Sequence, residues 1–368
     1  MIGSLRLKLL PLLQRGTTTT AMRTLTSQQI EYSEWGDPLA VLKFATREVP
    51  SPKEDEVRYK FLASAINPAD INTIQGVYPI RPEIPAVAGM EGVMRIEEVG
   101  AKVKDLKVGD KVIPRSAIFG AWRSAGVTTP NQLIKVSNEL DDVQAATITV
   151  NPSTAYRMLK DYVDLQPGDV ILQNGANSAV GQLIIQLCSE FKITSVNLIR
   201  DGKQDEKETK LYLEELGADF VFTQSEFKAS TQFCCKAKQG RALFKGKLAA
   251  PKLALNCVSG PETIYMAGSL APKGKLVTYG GMSKQPLQIP TGVFIFKGIE
   301  LHGYWLTLWN EQPENQNERL KTLDYLSGLL IKHKLKMPKF EPVLIKDYRN
   351  AVEATLHGHG RKKIFVFE

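Results

Sequence analysis

Between residues 152 and 305, six short apolar runs alternate with segments of helical period, and few folds accept that order. The runs are VILQ (170–173), ITSVNLIRD (193–201), FVFT (220–223), KLALNCV (252–258), GKLVTYGG (274–281) and GIELHGYW (298–305). SAVGQLIIQLCSEF (178–191) and KETKLYLEELGAD (207–219) repeat their apolar residues at helical spacing, with Gly217 placed to close the second as its C′ residue. Runs this short and continuous, separated by helices, predict an α/β chain with a doubly wound parallel sheet covered on both faces.

The flanking sequence has a different texture. VLKFATREVP (41–50), EVRYKFLASAIN (56–67) and GVMRIEEVGAKVKDLKVGDKVIP (92–114) alternate like strands and are punctuated by Gly and Pro. After Trp305 the pattern is mixed and closes on RKKIFVFE (361–368), a predicted last strand. The expected division is a leader at 1–24, a mostly β domain formed by 25–151 and 306–368, and a Rossmann domain at 152–305 inserted between its two parts.

The leader follows from charge. Residues 1–30 hold Arg6, Lys8, Arg15 and Arg23 and no acid, and are rich in Thr, the properties of a mitochondrial transit peptide. Its apolar stretch is too short to span a bilayer. Those four charges are half of the chain's formal +8. The remainder is only mildly basic and carries no Lys/Arg block, which gives no support to a nucleic-acid partner. Cys188, Cys234, Cys235 and Cys257 have neither a disulfide-framework nor a zinc spacing, and the four His form no HExxH, so no metal is expected.

NGANSAVGQ (174–182) joins the first apolar run to the first helix. A pyrophosphate needs the free N–H groups and positive dipole end of a helix N-terminus. Gly175 suits the tight turn and Gly181 close helix–sheet packing, and small residues let the backbone approach the phosphates. Asn177, Ser178 and Ala179 fill the middle of this candidate phosphate loop, with Val180 following. The second run ends in Arg200 and Asp201, and Gly202 follows. Arg200 matches the 2′-phosphate of NADPH, which is the expected cofactor, while Asp201 keeps NADH open.

Gly89-Met90-Glu91 stands where zinc alcohol dehydrogenases of the medium-chain dehydrogenase/reductase superfamily have Gly-His-Glu. Together with SAINPADINTIQGVYPIRPEIPAVAGMEGV (64–93), AATITVNPSTAYRMLKDYVDLQPGDVILQNGANSAVGQLIIQLC (145–188) and VTYGGMS (277–283), it resembles the zinc-free, quinone-oxidoreductase-like branch. Within that branch it is similar to the mitochondrial trans-2-enoyl-CoA reductases. The resemblance implies a GroES-like fold for the mostly β domain, a metal-free reaction, NADPH, a homodimer, and the last reductive step of mitochondrial fatty acid synthesis on thioesters of coenzyme A or acyl carrier protein. It puts the catalytic tyrosine on Tyr78 and the nicotinamide-side asparagine on Asn151. Tyr279, Gly280, Gly281 and Met282 fall beside the ribose, with Tyr304, Trp305 and Leu306 near the cofactor. A last-strand lysine falls on Lys362, with Lys363 one residue away. A phenol, neutral at pH 7, can donate to the enolate oxygen formed when hydride adds to an enoyl thioester. Two alternatives stay open at this point: a quinone reductase of the same fold and a nucleotide-binding regulator without turnover. Trp305 reads equally as an acyl-chain wall or as core, and Trp309 as core.

Overall fold

The computed structural model describes residues 25–202, 205–236, 248–358 and 361–367. The leader expected at 1–24 lies outside them, as do the side chains of Cys234 and Cys235.

The six apolar runs form one parallel sheet. Its strands lie in the order Phe220–Thr223, Thr194–Ile199, Val170–Gln173, Leu253–Asn256, Lys275–Thr278, Glu300–Gly303. Numbered by sequence, that order is 3-2-1-4-5-6, the Rossmann order, and it reverses between Val170–Gln173 and Leu253–Asn256. Alternate residues of these strands feed two cores on opposite faces. Ile171, Leu253, Leu255 and Val277 pack with Leu183, Ile184 and Leu187 of the helix Ala179–Phe191. Val170, Leu172, Ala254 and Leu276 pack on the other face with Phe227 and Met266. Each fully buried Leu or Ile contributes roughly 1.5–3 kcal/mol, so burial on both faces explains why the strands read as apolar runs rather than alternating ones.

The second region is built on a seven-stranded mixed sheet. Val57–Ala65 lies at its centre, antiparallel to Gly92–Val99 on one side and to Lys362–Val366 on the other. The final strand of the chain thus closes a sheet begun some three hundred residues earlier. Two helices connect the regions at the reversal point: Asn151–Asp161, and Gln316–Ile331, which packs on it. The helix predicted to stop at Gly217 spans Glu206–Glu215, and Gly217 takes φ +99°.

One strand of the parallel sheet, Glu300–Gly303, is an edge whose outer side pairs with no strand among the described residues. The helix before it, Thr291–Lys297, buries none of its residues and leaves Ile295 61% and Phe296 86% exposed.

Candidate active site

The C-terminal ends of the parallel strands face the mixed sheet across a cleft of about 500 Å³. The cleft lies outside the reversal point of the strand order, where ligands bind in open α/β sheets. Its wall includes Tyr78, Asn151, Val180, Tyr279, Tyr304, Trp305 and Leu306, residues that come from five separate places in the chain.

The loop 174–178 is set by two glycines. Gly175 has φ +59°, and a Cβ there would stand 2.5 Å from Cys257 Sγ. A Cβ on Gly181 would meet the carbonyl oxygens of Gly175 and Ala176 at 2.6 Å. Ser178 caps the helix Ala179–Phe191, its hydroxyl accepting from Gly181 N at 3.1 Å. Asn177 and Ser178 are exposed at the loop's tip, at the positive end of a thirteen-residue helix.

A buried amide ladder holds this loop against its neighbours, and nothing in the motif announced it. Asn174 accepts from Cys257 N at 2.8 Å and donates to Asn256 Oδ1 at 2.8 Å. Asn256 also takes Ser259 N at 3.0 Å and donates to Thr278 Oγ1 at 3.0 Å. The segment Tyr279–Met282 is tied back the same way, Tyr279 N donating to Asn256 O and Met282 N to Cys257 O. Gly280 packs on Cys257, a Cβ on Gly281 would meet Ser259 Oγ at 3.9 Å, and Met282 is exposed. Burial next to Cys257 holds the Tyr279 phenol far above its ordinary range.

At the end of the second strand, Arg200 is exposed, and Gly202, at φ +73°, has open space around it. Asp201 is engaged elsewhere. Its Oδ1 accepts from Ser225 N at 3.0 Å, at the start of the helix Gln224–Lys236. Its carboxyl is held below the ordinary range by that and neighbouring bonds, against the pull of burial.

Tyr78 follows the short helix Pro68–Ile74, its N–H bonded to Asn72 O at 3.1 Å. Its hydroxyl accepts from Trp305 Nε1 at 2.6 Å, and the two rings meet edge to face with centroids 5.6 Å apart. The hydroxyl hydrogen of Tyr78 is left to donate into the cleft. Trp309, one helical turn on, packs against the core under the Arg157 guanidinium.

The residues fit a bound dinucleotide. Asn151 Nδ2 and Tyr304 Oη are buried in the cleft wall without a hydrogen-bond partner among the described residues, which is costly unless a ligand supplies one. The Gly175–Gly181 cradle would be filled by any side chain. At the far end of the cleft, Arg319 is buried and donates to Arg115 O at 2.8 Å. Burial, with the Arg115 charge adding to it, lowers its guanidinium to about 10.

Lys362 does not reach the cleft wall itself. Its ammonium donates to Asn67 Oδ1, and Asn67 lines the cleft. Lys363 points the other way and pairs with Glu341. Met90, in the place of a ligand histidine, donates its N–H to Asp70 at 2.8 Å.

Residues 53–133 match the alcohol dehydrogenase GroES-like domain family. Over most of its length the chain is similar to mitochondrial enoyl-(acyl-carrier-protein) reductases. It is 39% identical to one from Caenorhabditis elegans, covering 94% of this chain and 96% of the relative. With one from Homo sapiens it shares 39% identity over 88% and 84% respectively. The solved complex of Etr1p with NADP and crotonyl-CoA superposes with a TM-score of 0.84 at 34% identity, covering 93% of this chain and all of the other. An Etr1p/Etr2p heterodimer, a mitochondrial 2-enoyl thioester reductase from Candida tropicalis, superposes equally well.

Proposed function

The chain belongs to the mitochondrial enoyl-(acyl-carrier-protein) reductase family, and from that premise we propose that its cleft holds NADPH against a trans-2-enoyl thioester, with Tyr78 on the thioester side. The protein is an oxidoreductase of the mitochondrion that reduces the carbon–carbon double bond of enoyl thioesters with NADPH. Bound NADPH supplies the hydride that adds to Cβ.

What the chain's own residues do follows from their placement. The hydrogen bond from Trp305 to the Tyr78 oxygen carries the reading. It fixes the ring, leaves the hydroxyl hydrogen free to donate, and would stabilise negative charge on the phenol oxygen as its proton moves. Tyr78 then serves the enolate oxygen or delivers the proton to Cα. Asn151, with an unpartnered amide donor, suits the nicotinamide side, and Tyr304 and Leu306 close the same wall. Val180 and the tip Asn177–Ser178–Ala179 suit the pyrophosphate. Arg200, beside the open space at Gly202, suits the 2′-phosphate, and Asp201 supports that corner of the site from beneath. The segment Tyr279–Gly280–Gly281–Met282 suits the ribose. Lys362 acts through Asn67.

Residues 25–151 and 306–368 are read as one catalytic domain and 152–305 as the dinucleotide-binding domain. The enoyl thioester is the substrate partner, carried on coenzyme A or acyl carrier protein. A homodimer is the proposed assembly. Two copies pairing their Glu300–Gly303 edges would cover both an open strand edge and the exposed Ile295 and Phe296.

The test is NADPH consumption with crotonyl-CoA and with a quinone panel. Turnover on the enoyl thioester that requires Tyr78 supports the reading. Turnover on quinones alone, untouched by Tyr78→Phe, refutes it.

A further inference from the structure

Three ionisable groups lie behind the cleft wall. Glu91 and Asp70 are each 1% exposed, and Lys362 enters from the last strand. Asn67 stands between them. Its Oδ1 accepts from Lys362 Nζ, its Nδ2 donates to Glu91 Oε1 at 2.7 Å, and its N–H donates to Asp70 Oδ2 at 2.6 Å. Asp70 Oδ1 takes Met90 N at 2.8 Å, and Glu91 Oε2 takes the Thr149 hydroxyl at 2.9 Å. All four carboxyl oxygens therefore accept, the pattern of two carboxylates. Lys362 is the cation that acts on both. Above pH 7, where Asp70 has shed its proton, two negative charges against one positive leave an excess of one.

Burying such an excess is expensive, and burial raises both carboxyls, Asp70 to about 7. A cation arriving opposite would relieve the cost. Asn67, Met90 and Thr149 line the same cleft as Asn151. The one cofactor group there whose charge changes is the nicotinamide ring, neutral when reduced and cationic once its hydride has left. We infer that Glu91 and Asp70 hold a net negative charge behind the nicotinamide position, so that the cleft favours the oxidised, cationic ring over the reduced one and assists hydride departure. The two carboxylates act through space and through Asn67 and Thr149, without touching substrate. The inference rests on the reading that Asn151 marks the nicotinamide end.

Dissociation constants of NADP⁺ and NADPH are measured by calorimetry at pH 8 for the full chain and for Glu91→Gln and Asp70→Asn. A unit charge roughly 10 Å away at an effective dielectric of about 20 alters an equilibrium on the order of tenfold. Each variant should raise the ratio Kd(NADP⁺)/Kd(NADPH) by about that factor. A merely structural role weakens both nucleotides together, and a ratio that stays put overturns the inference while leaving the cofactor site intact. Wild-type protein that binds neither nucleotide overturns both. Should Glu91→Gln fail to fold, Asp70→Asn carries the test alone, since it removes the same charge and leaves the bonds from Glu91 to Asn67 and Thr149 in place.

Discussion

Trp305 donates its indole N–H to the hydroxyl of Tyr78 at 2.6 Å, across a cleft that separates the two residues by 227 positions in the chain. The bond links the mixed sheet to the end of the last parallel strand. It also settles what each group presents: a filled lone pair on the phenol oxygen, and a hydroxyl hydrogen aimed elsewhere.

Replacing Tyr78 by Phe keeps the ring against Trp305 and removes the hydroxyl. General acid catalysis of this kind is worth roughly 100- to 10,000-fold. The kcat for crotonyl-CoA reduction should fall by at least about 100-fold while NADPH affinity, followed by fluorescence titration, changes little. An unaltered kcat would remove Tyr78 from the chemistry.

Trp305→Phe keeps an aromatic edge but deletes the donor. A hydrogen bond of this type contributes on the order of 1 kcal/mol, so kcat should drop about fivefold, far less than in Tyr78→Phe. The double variant should be no slower than Tyr78→Phe alone, because the indole acts on kcat through the phenol. Additive losses in steady-state kinetics would contradict that.

Arg200→Ala tests the choice of cofactor. Charge-assisted bonds to a phosphate are worth about 1.5–3 kcal/mol, so NADPH binding should weaken roughly 10- to 100-fold and NADH binding hardly at all. Equal losses for the two nucleotides would deny Arg200 the 2′-phosphate.

Gly181→Ala puts a methyl group 2.6 Å from two carbonyl oxygens of the loop. Backbone cannot yield there as a side-chain tip would. The variant should lose about 1–3 kcal/mol of stability, read by denaturant melts, and bind NADPH more weakly because the loop is pushed out of place.

Glu262 offers a pH test of stability. Burial, with the charge of Asp201 adding to it, raises its carboxyl from 4.5 to about 7. Between those values the folded chain holds a proton that the unfolded chain has released. The contribution of Glu262 is therefore full below about pH 4.5 and is lost as pH rises through about 7. Thermal melts across that range should fall more steeply for the wild type than for Glu262→Gln, and parallel slopes would refute the assignment.

The inner strands of the parallel sheet were legible because strands buried on both faces need mostly apolar residues, while the largely exposed edge strand Glu300–Gly303 was legible from the strand–helix alternation around it. The turn between the first strand and the first helix was legible through its glycines: Gly181 is required by the carbonyls of Gly175 and Ala176 close by, whereas Gly175 is required by Cys257, far along the chain. Other features depend on partners far along the chain. Arg200 and Asp201 read alike as ribose or phosphate contacts until Ser225, 24 residues on, is seen to engage the acid. The choice between Lys362 and Lys363 turns on strand register: with Ile364 opposite Ala65, alternation sends Lys362 to Asn67 and Lys363 out to Glu341. Trp305 was expected as apolar wall or core, whereas its polar edge is what meets Tyr78. The Asn174–Asn256 ladder and the charges behind Asn67 have no local signature, because each is assembled from segments brought together only by the fold.

The closing strand Lys362–Val366 slots between Phe340–Leu344 and Val57–Ala65. Val57–Ala65 must therefore wait for a partner some three hundred positions further on before the mixed sheet is complete. Until then that strand keeps an open flank, a slow, non-local closure of the kind that invites chaperones, whereas the parallel sheet has all six of its strands by residue 303 and has no such wait.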